Sequence, residues 1–221
     1  MKRFSLKLEF LLSIPKSFIV CLKLMGLKKA FRLPIMVRYN TKILSLNGKI
    51  RCIGNGKIRV GFGKISEFDK KYQRSIIKLN GDITIDTPCY FGQGTRIISE
   101  RDSKLYIGKN FQNTACLTIS NRGYIEIGND CLVSWNTWIC DSDFHMIQDI
   151  KTGEMSQPDG YVKIGNHVWI CANNSILKGS IIPDNCIIGA HSLVKGRFSD
   201  SNSIIAGSPA KIIKKDIQWF L

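Results

Sequence analysis

Aliphatic residues recur every six positions in the second half of the chain. They are Ile164, Ile170, Ile176, Ile182, Ile188 and Val194. An amphipathic helix repeats its apolar face every three or four residues and a strand every two, so a spacing of six fits neither. A spacing of six is typical of a solenoid in which each block forms one short strand and a corner, with one aliphatic side chain pointing inward. The pattern therefore predicts an all-β fold, a parallel β-helix with three sides per coil.

The repeat is looser nearer the start of the chain. Residues 46–51 reappear in similar form at 79–84, which predicts early coils with a loop near 68–74 between them. From Ile107 the pattern tightens. The blocks that begin at Ile127, Val133 and Ile139 are predicted to form three successive sides of one coil.

The repeat breaks at a histidine. Another step of six would place an aliphatic residue at 145, where His145 stands instead. Residues 146–161 are polar and rich in turn formers, and they have no six-residue register. Long excursions from a compact repeat are usually functional, so this loop and the histidine that begins it predict an active site.

Composition fits one globular unit of 221 residues, 44% of them hydrophobic. The eight cysteines stand singly, without a CxxC pair, which favours packing in a reducing compartment over disulfides or zinc. The three histidines lack the spacing of a metal site, so no metal is expected.

The net charge of +15 is concentrated near the start of the chain, where residues 1–33 carry eight Lys and Arg against Glu9 alone. Charges and Pro15 interrupt the apolar residues, so no span long enough to cross a bilayer is expected, and no signal-peptide cleavage pattern follows. Two interpretations remain: a basic amphipathic segment on an anionic membrane surface, or a helix packed on the solenoid end or on a neighbouring subunit. Nucleic acid is not expected, because no recognition motif is present.

The predicted division of the chain is 1–40 for the basic segment and 41–221 for the β-helix, with the extruded loop at 146–161 and a short C-terminal tail.

Several motifs carry a resemblance to a known family. They are Gly165-Asn166-His167-Val168-Trp169-Ile170, Ile188-Gly189-Ala190 and Ile204-Ile205-Ala206-Gly207-Ser208-Pro209-Ala210-Lys211. Together with Asp141-Ser142-Asp143-Phe144-His145, they resemble the hexapeptide-repeat acyltransferases, most closely the sugar and polysaccharide O-acetyltransferases. The resemblance implies a cytoplasmic homotrimer of left-handed β-helices, in which acetyl-CoA and the acceptor meet between subunits. A left-handed winding departs from the right-handed rule for parallel crossovers. The implied acceptor is a surface-polysaccharide sugar or its lipid-linked or nucleotide-linked precursor.

The same resemblance implies roles for individual residues. His145 is the general base, Asp143 or Asp141 fixes its tautomer, and Trp169 either lies near the thioester or serves in packing. The residues that match contacts to the cofactor are Asn113, Ala172, Ala190, Lys195, Lys211 and Lys214. Here Lys195-Gly196 replaces the Thr-Lys of the family. His167 and His191 are expected to be structural corner residues.

Three alternatives remain open from the sequence. The acceptor group could be the amine of an amino sugar, or the solenoid could be a binding module without catalysis, for which His145 would be dispensable. A zinc-binding β-helix of the carbonic-anhydrase type would need three convergent histidines, and the spacing of the histidines argues against it.

Overall fold

The structure is a computed structural model that describes residues 2–63, 65, 67–69 and 73–220, with side chains described from residue 7 onward. Helices α1 (Lys2–Met25) and α2 (Leu27–Ala30) come first. The strands that follow, in chain order, are β1 (Ile35–Val37), β2 (Lys42–Leu46), β3 (Lys49–Ile53), β4 (Ile58–Phe62), β5 (Ile76–Leu79), β6 (Asp82–Asp86), β7 (Cys89–Gln93), β8 (Arg96–Ser99), β9 (Lys104–Ile107), β10 (Gln112–Ala115), β11 (Thr118–Asn121), β12 (Tyr124–Ile127), β13 (Leu132–Val133), β14 (Trp138–Cys140), β15 (Ile147–Gln148), β16 (Met155–Ser156), β17 (Tyr161–Ile164), β18 (Trp169–Ile170), β19 (Ser175–Ile176), β20 (Ile181–Ile182), β21 (Ile187–Ile188), β22 (Leu193–Val194), β23 (Ile204–Gly207) and β24 (Ala210–Lys214).

These strands line three faces of one solenoid. Face A contains β1, β4, β7, β10, β13, β18, β21, β23 and β24; face B contains β2, β5, β8, β11, β14, β19 and β22; face C contains β3, β6, β9, β12, β17 and β20. Successive strands visit faces A, B and C in turn, and the pairing along each face is parallel until β24 turns back on β23. The predicted three-sided parallel β-helix is confirmed, and it is left-handed.

The six-residue repeat forms the core. The six aliphatic residues from Ile164 to Val194 are at most 2% exposed. Their neighbours point outward, because side chains alternate along a strand. Corners recur with the same period. His167, Asn173, Gly179, Asn185 and His191 all adopt left-handed backbone angles, with φ between 52° and 84°. His167 and His191 therefore lie at corners, as the sequence predicts.

Helix α1 covers the N-terminal end of the solenoid. Its inward side contains two fully buried serines, of which Ser17 Oγ bonds to the Val37 backbone and Ser13 Oγ accepts from the Tyr39 N–H. Val20 and Cys21 are buried beside them. The segment thus packs on the solenoid end, as one of the two interpretations predicts. No helix among the described residues has the length and apolar character needed to cross a bilayer.

The early coils follow the predicted repeat. Leu46 pairs with Leu79 and Ile50 with Ile83, which brings the two similar segments into register on neighbouring rungs. Part of the loop predicted at 68–74 lies outside the described residues. Strand β1, which begins at Ile35, already pairs with β4, so the solenoid starts within the segment assigned to residues 1–40.

All eight cysteines are free, and six of them are buried. Cys131 and Cys186 lie inside the coil at 1% and 0% exposure. The expectation that cysteine serves as a small apolar packing residue is confirmed at these positions.

Candidate active site

His145 lies at the corner between faces B and C, where the chain leaves the solenoid. Strand β14 ends at Cys140 on face B, and β17 resumes on face C at Tyr161. Between them the chain forms a small hairpin, β15 paired with β16, where the sequence predicts only a loop. Ser142 Oγ donates to Asp159 Oδ1 at 2.6 Å and holds the two ends of the excursion together. The imidazole of His145 stands just beyond this neck and is exposed.

Asp141 braces the corner from inside. Its carboxylate is fully buried and accepts hydrogen bonds from Asn121 Nδ2 at 2.8 Å and from the backbone N–H groups of Arg122 and Gly123 at 2.8 and 3.0 Å. Burial raises the pKa of Asp141, while these hydrogen bonds oppose the rise. Because the oxygens are occupied in this way, Asp141 holds the backbone and is not bonded to His145.

Asp143 is engaged by a cation. Its carboxylate forms an ion pair with Lys178 Nζ at 2.5 Å, and its backbone N–H donates to the Pro158 carbonyl. Lys178, one rung further on, offers Asp143 a full charge, which is a stronger partner than a neutral imidazole. That Asp143 or Asp141 fixes the tautomer of His145 remains a prediction.

Asp159 completes the neck. Burial alone would raise the pKa of Asp159, but hydrogen bonds from Ser142 and from Arg122 Nε, with the charge of Arg122, outweigh it and lower the pKa. The ionised carboxylate is thus the form that closes the excursion. Its charge keeps the segment that carries His145 attached to the solenoid.

Trp169 lies on face A, away from His145. It is partly buried on β18, where its indole N–H donates to Ser134 Oγ at 3.4 Å, the long end of the hydrogen-bond range. In a three-sided prism the corner between faces B and C is opposite face A. One chain therefore presents its histidine and this tryptophan on different sides.

A residue that the sequence did not single out covers Trp169. Trp219 folds back over face A, stacks on the His167 ring at 4.1 Å and 5°, and lies 6.0 Å from the Trp169 ring. Its indole N–H donates to the His167 carbonyl at 3.0 Å. Only the presence of a large aromatic residue in a polar tail could have indicated this contact, because the pairing depends on how the tail folds back.

The candidate cofactor residues divide between two sides of the solenoid. Ala172 and Ala190 lie one above the other at the corner between faces A and B, where the His191 N–H donates to the Ala172 carbonyl at 3.1 Å. Lys211 and Lys214 are exposed on β24, at the end of face A. Lys195 is exposed just after β22, at the corner shared with His145.

Asn113 lies inside the coil. Its side chain is 1% exposed, because it occupies an inward position of β10. Its Oδ1 accepts from the Gly92 N–H and from Thr95 Oγ1, and its Nδ2 donates to the Ala115 and Val133 carbonyls. Asn113 therefore joins neighbouring rungs from within the coil, and its contact with a cofactor remains a prediction.

Comparison with known proteins places this geometry in a family. The model of the bacterial transferase hexapeptide (six repeats) matches residues 161–196. The "Putative lipopolysaccharide biosynthesis O-acetyl transferase" of Escherichia coli strain K12 is 30% identical over 151 residues, which cover 63% of this chain and 74% of that protein.

Two solved structures share the fold. The crystal structure of a polySia-specific acetyltransferase superposes with a TM-score of 0.58 at 22% identity, over 84% of this chain and 74% of that one. A polysialic acid O-acetyltransferase superposes with a TM-score of 0.54 at 25% identity, over 82% of this chain and 91% of that one. The chain therefore belongs to the hexapeptide-repeat acyltransferases, and it is an acetyltransferase.

Proposed function

We propose that the enzyme transfers an acetyl group from acetyl-CoA to a sugar hydroxyl of a surface polysaccharide or of its lipid-linked or nucleotide-linked precursor. A hydroxyl is too weak an acid to attack a thioester at neutral pH unless a base removes its proton as the new C–O bond forms. His145 takes that proton and later returns it to the departing thiolate of CoA. Acceptors of this class are supported by the relatives, whose names refer to lipopolysaccharide and polysialic acid.

The observation that carries the assignment is the position of His145. It is an exposed imidazole at the place where the six-residue repeat that begins at Ile127 is interrupted, and a neck of hydrogen bonds between Ser142 and Asp159 holds it there. A histidine with an ordinary role at a corner would take a left-handed backbone angle, as His167 and His191 do. In this neck Phe144 has a positive φ of 64° and makes the turn, whereas His145 does not have a positive φ.

The site is completed by a second copy of the chain. Because His145 and Trp169 lie on different sides of one solenoid, both can face the same thioester only if they belong to neighbouring subunits. In a closed trimer with face B toward the axis, the corner that carries His145 faces the neighbour's face A. We place acetyl-CoA in that cleft, along Ala172 and Ala190 of the subunit that contributes face A. Lys211 and Lys214 of that subunit, with Lys195 of the subunit that carries His145, are candidates for its phosphates.

Exposed apolar side chains support a covered surface on face B and on the excursion. Trp138 and Leu193 on face B are 38% and 36% exposed and lie two rungs apart, on either side of Ser175, and Ile150 at the excursion tip is 99% exposed. Apolar groups of this size are usually buried in an assembly when they occur together. A neighbouring subunit would remove them from water.

The base assignment is tested by replacing His145. We expect His145→Ala to lower acetyl transfer about 100-fold to 10,000-fold, because the proton of the hydroxyl has no other acceptor. Gln148→Ala, an exposed change in the same excursion, is the matched control and should change turnover little. Turnover is measured as CoA release with a panel of nucleotide sugars and lipid-linked oligosaccharides. Unchanged turnover of His145→Ala would refute the assignment and favour a non-catalytic binding module.

We also propose that α1 binds an anionic membrane surface. Its outward side is apolar, with Leu11 and Ile19 both 62% exposed, although its inward side contains Ser13 and Ser17. Lys23 borders this apolar stripe and is exposed, whereas Lys16 beside it donates to the Thr41 carbonyl. The arrangement resembles an interfacial helix whose cations meet lipid headgroups.

The membrane proposal needs point variants, because deletion of α1 would expose the solenoid end that it covers. Leu11→Gln combined with Ile19→Gln should reduce sedimentation with anionic liposomes while the melting temperature is retained. The matched control is Leu27→Gln with Phe31→Gln, which alters exposed apolar residues beyond α1. Sedimentation equal to that of the wild type would overturn the proposal.

A further inference from the structure

Face C contains a groove that the proposed reaction does not use. It has a volume of about 510 Å³ and lies on the early coils, on strands β3, β6, β9 and β12. Three cations, Lys49, Arg51 and Lys104, line it together with Asp82 and the rings of Tyr106 and Tyr124. Its floor is the small-residue rung of β6, and its walls are the longer side chains of the neighbouring rungs.

Three cations of the groove form no ion pair within the described part of the chain. Lys49, Arg51 and Lys104 are exposed, and no ion pair joins any of them to a carboxylate in the described part of the chain. Asp82 lies between Lys49 and Lys104 in the strand register. Asp86 and Glu126 border the groove through the tyrosine hydroxyl groups, and Lys163 lies over the Tyr124 ring. Four cations therefore face three carboxylates, which leaves a net charge of +1. Such a surface attracts a negatively charged ligand.

The tyrosines offer their rings and not their hydroxyl groups. Tyr106 Oη donates to Asp86 Oδ2 at 3.0 Å, and Tyr124 Oη donates to Glu126 Oε2 at 2.7 Å. Burial, together with the hydrogen bond and the charge of Glu126, raises the pKa of Tyr124 to about 12, so its phenol stays neutral. Two rings fixed in this way form flat apolar surfaces beside the cations, and C–H-rich faces of sugar rings pack well on such surfaces.

The groove leads toward His145. The outward residues Asp82, Lys104, Tyr124 and Tyr161 follow one another on successive rungs. Tyr161 is the first residue of β17, directly after the excursion that carries His145. At about 4.8 Å per rung, three steps from β6 to β17 span ~14 Å. A ligand in the groove could reach His145 only if it were an extended chain.

We propose that this groove binds the distal part of an acidic polysaccharide chain while one of its sugars lies at His145. The proposal rests on the proposed function and narrows it to a polymeric, anionic acceptor. The free cations hold carboxylates of the chain, and the tyrosine rings hold its sugar rings. A lipid surface fits less well, because the site is a recessed polar groove on a flat sheet.

Binding to the full-length protein tests the proposal without turnover. The probes are fluorescent polysialic acid and oligogalacturonate, with dextran as a neutral glycan and single-stranded DNA as a polyanion of another class. Lys104→Glu is compared with Lys109→Glu, an equal charge change at an exposed turn residue that follows the same strand. We expect Lys104→Glu to weaken binding of an acidic glycan about tenfold, a change of about 1.4 kcal/mol, and Lys109→Glu to weaken it less than twofold.

Three results would overturn the groove assignment: equal effects of the two variants, no binding of either acidic glycan by the wild type, or DNA binding that depends on Lys104 as strongly as glycan binding. Thr84→Trp, which fills the floor without changing charge, should also weaken glycan binding and gives a second, independent variant. Failure of the proposed function looks different. In that case the wild type would bind the glycan through Lys104 yet release no CoA with any sugar acceptor.

Discussion

The coils before the excursion and the coils after it share one inward column on face B. This column passes from Ile77 through Ile97, Ile119 and Ile139 to Ile176 and Val194 without a break. The two regions differ in the number of residues that each coil contains. In the early coils Arg96 pairs with Thr118, twenty-two residues on, whereas in the late coils Ser175 pairs with Leu193, eighteen residues on.

The difference in coil length changes how many outward side chains each strand presents. Strand β6 has five residues and presents three outward side chains, Asp82, Thr84 and Asp86, whereas the two-residue strand β20 presents Ile181 alone. A broad groove can therefore form only on the early coils. The late coils, with their constant eighteen residues, bring Ala172 and Ala190 into line. We infer that the regular coils serve the cofactor and the broader coils serve the acceptor.

Truncation of the shared column should give the largest difference in stability between the two regions. Ile176→Ala should lower the free energy of unfolding by about 4 kcal/mol, because it empties a tightly packed late coil. Ile77→Ala should cost less, about 2 kcal/mol, because Ile77 already borders a void of about 20 Å³ and has fewer atoms to lose contact with. Denaturant unfolding of both variants measures this. An equal or larger loss for Ile77→Ala would contradict the difference in packing.

The next effect concerns the aromatic cover of the late coils. Trp219→Ala should lower the free energy of unfolding by about 2 kcal/mol, since it removes the stack on His167 and the contact with Trp169. Phe220→Ala is the matched control, because Phe220 is 78% exposed and should change stability by less than about 0.5 kcal/mol. Thermal melts compare the two variants. Equal losses would mean that the tail stack does not stabilise face A.

The smallest effect is expected at the neck between the two regions. The pKa of Asp159 is lowered in the folded state, so its ionised form contributes stability that is present above the ordinary carboxyl pKa and is lost as the pH falls below about 4. Asp159→Asn should therefore flatten the acid side of the melting-temperature profile between pH 5 and 3. Parallel profiles for variant and wild type would show that the neck does not titrate in this way.

Much of the solenoid could be predicted from the spacing of its aliphatic residues, because one inward side chain per block is a local property. The similarity of 46–51 to 79–84 predicted early coils for the same reason. The hairpin of β15 and β16 was not predicted, since two-residue strands with exposed Ile147 and Met155 leave no alternating pattern.

The site residues were harder to place. His145 and Trp169 are twenty-four residues apart, but the excursion lies between them and three-dimensional winding sets the faces on which they lie. Asn113 was assigned to the cofactor because it matches a family asparagine, and the sequence alone did not show its inward position on β10. Trp219 depends on a tail that folds back, which no local pattern encodes.

The central claim, that two copies of the chain build one site, is tested most directly by mixing two inactive variants. His145→Ala and Trp169→Ala subunits are given different affinity tags and expressed together, and trimers that contain both are purified through the two tags in sequence. In every such trimer one of the three clefts combines an intact His145 with the neighbour's intact Trp169. The account predicts that mixed trimers regain about one third of wild-type acetyl transfer while each variant alone stays inactive. Mixed trimers as inactive as the two variants would contradict it.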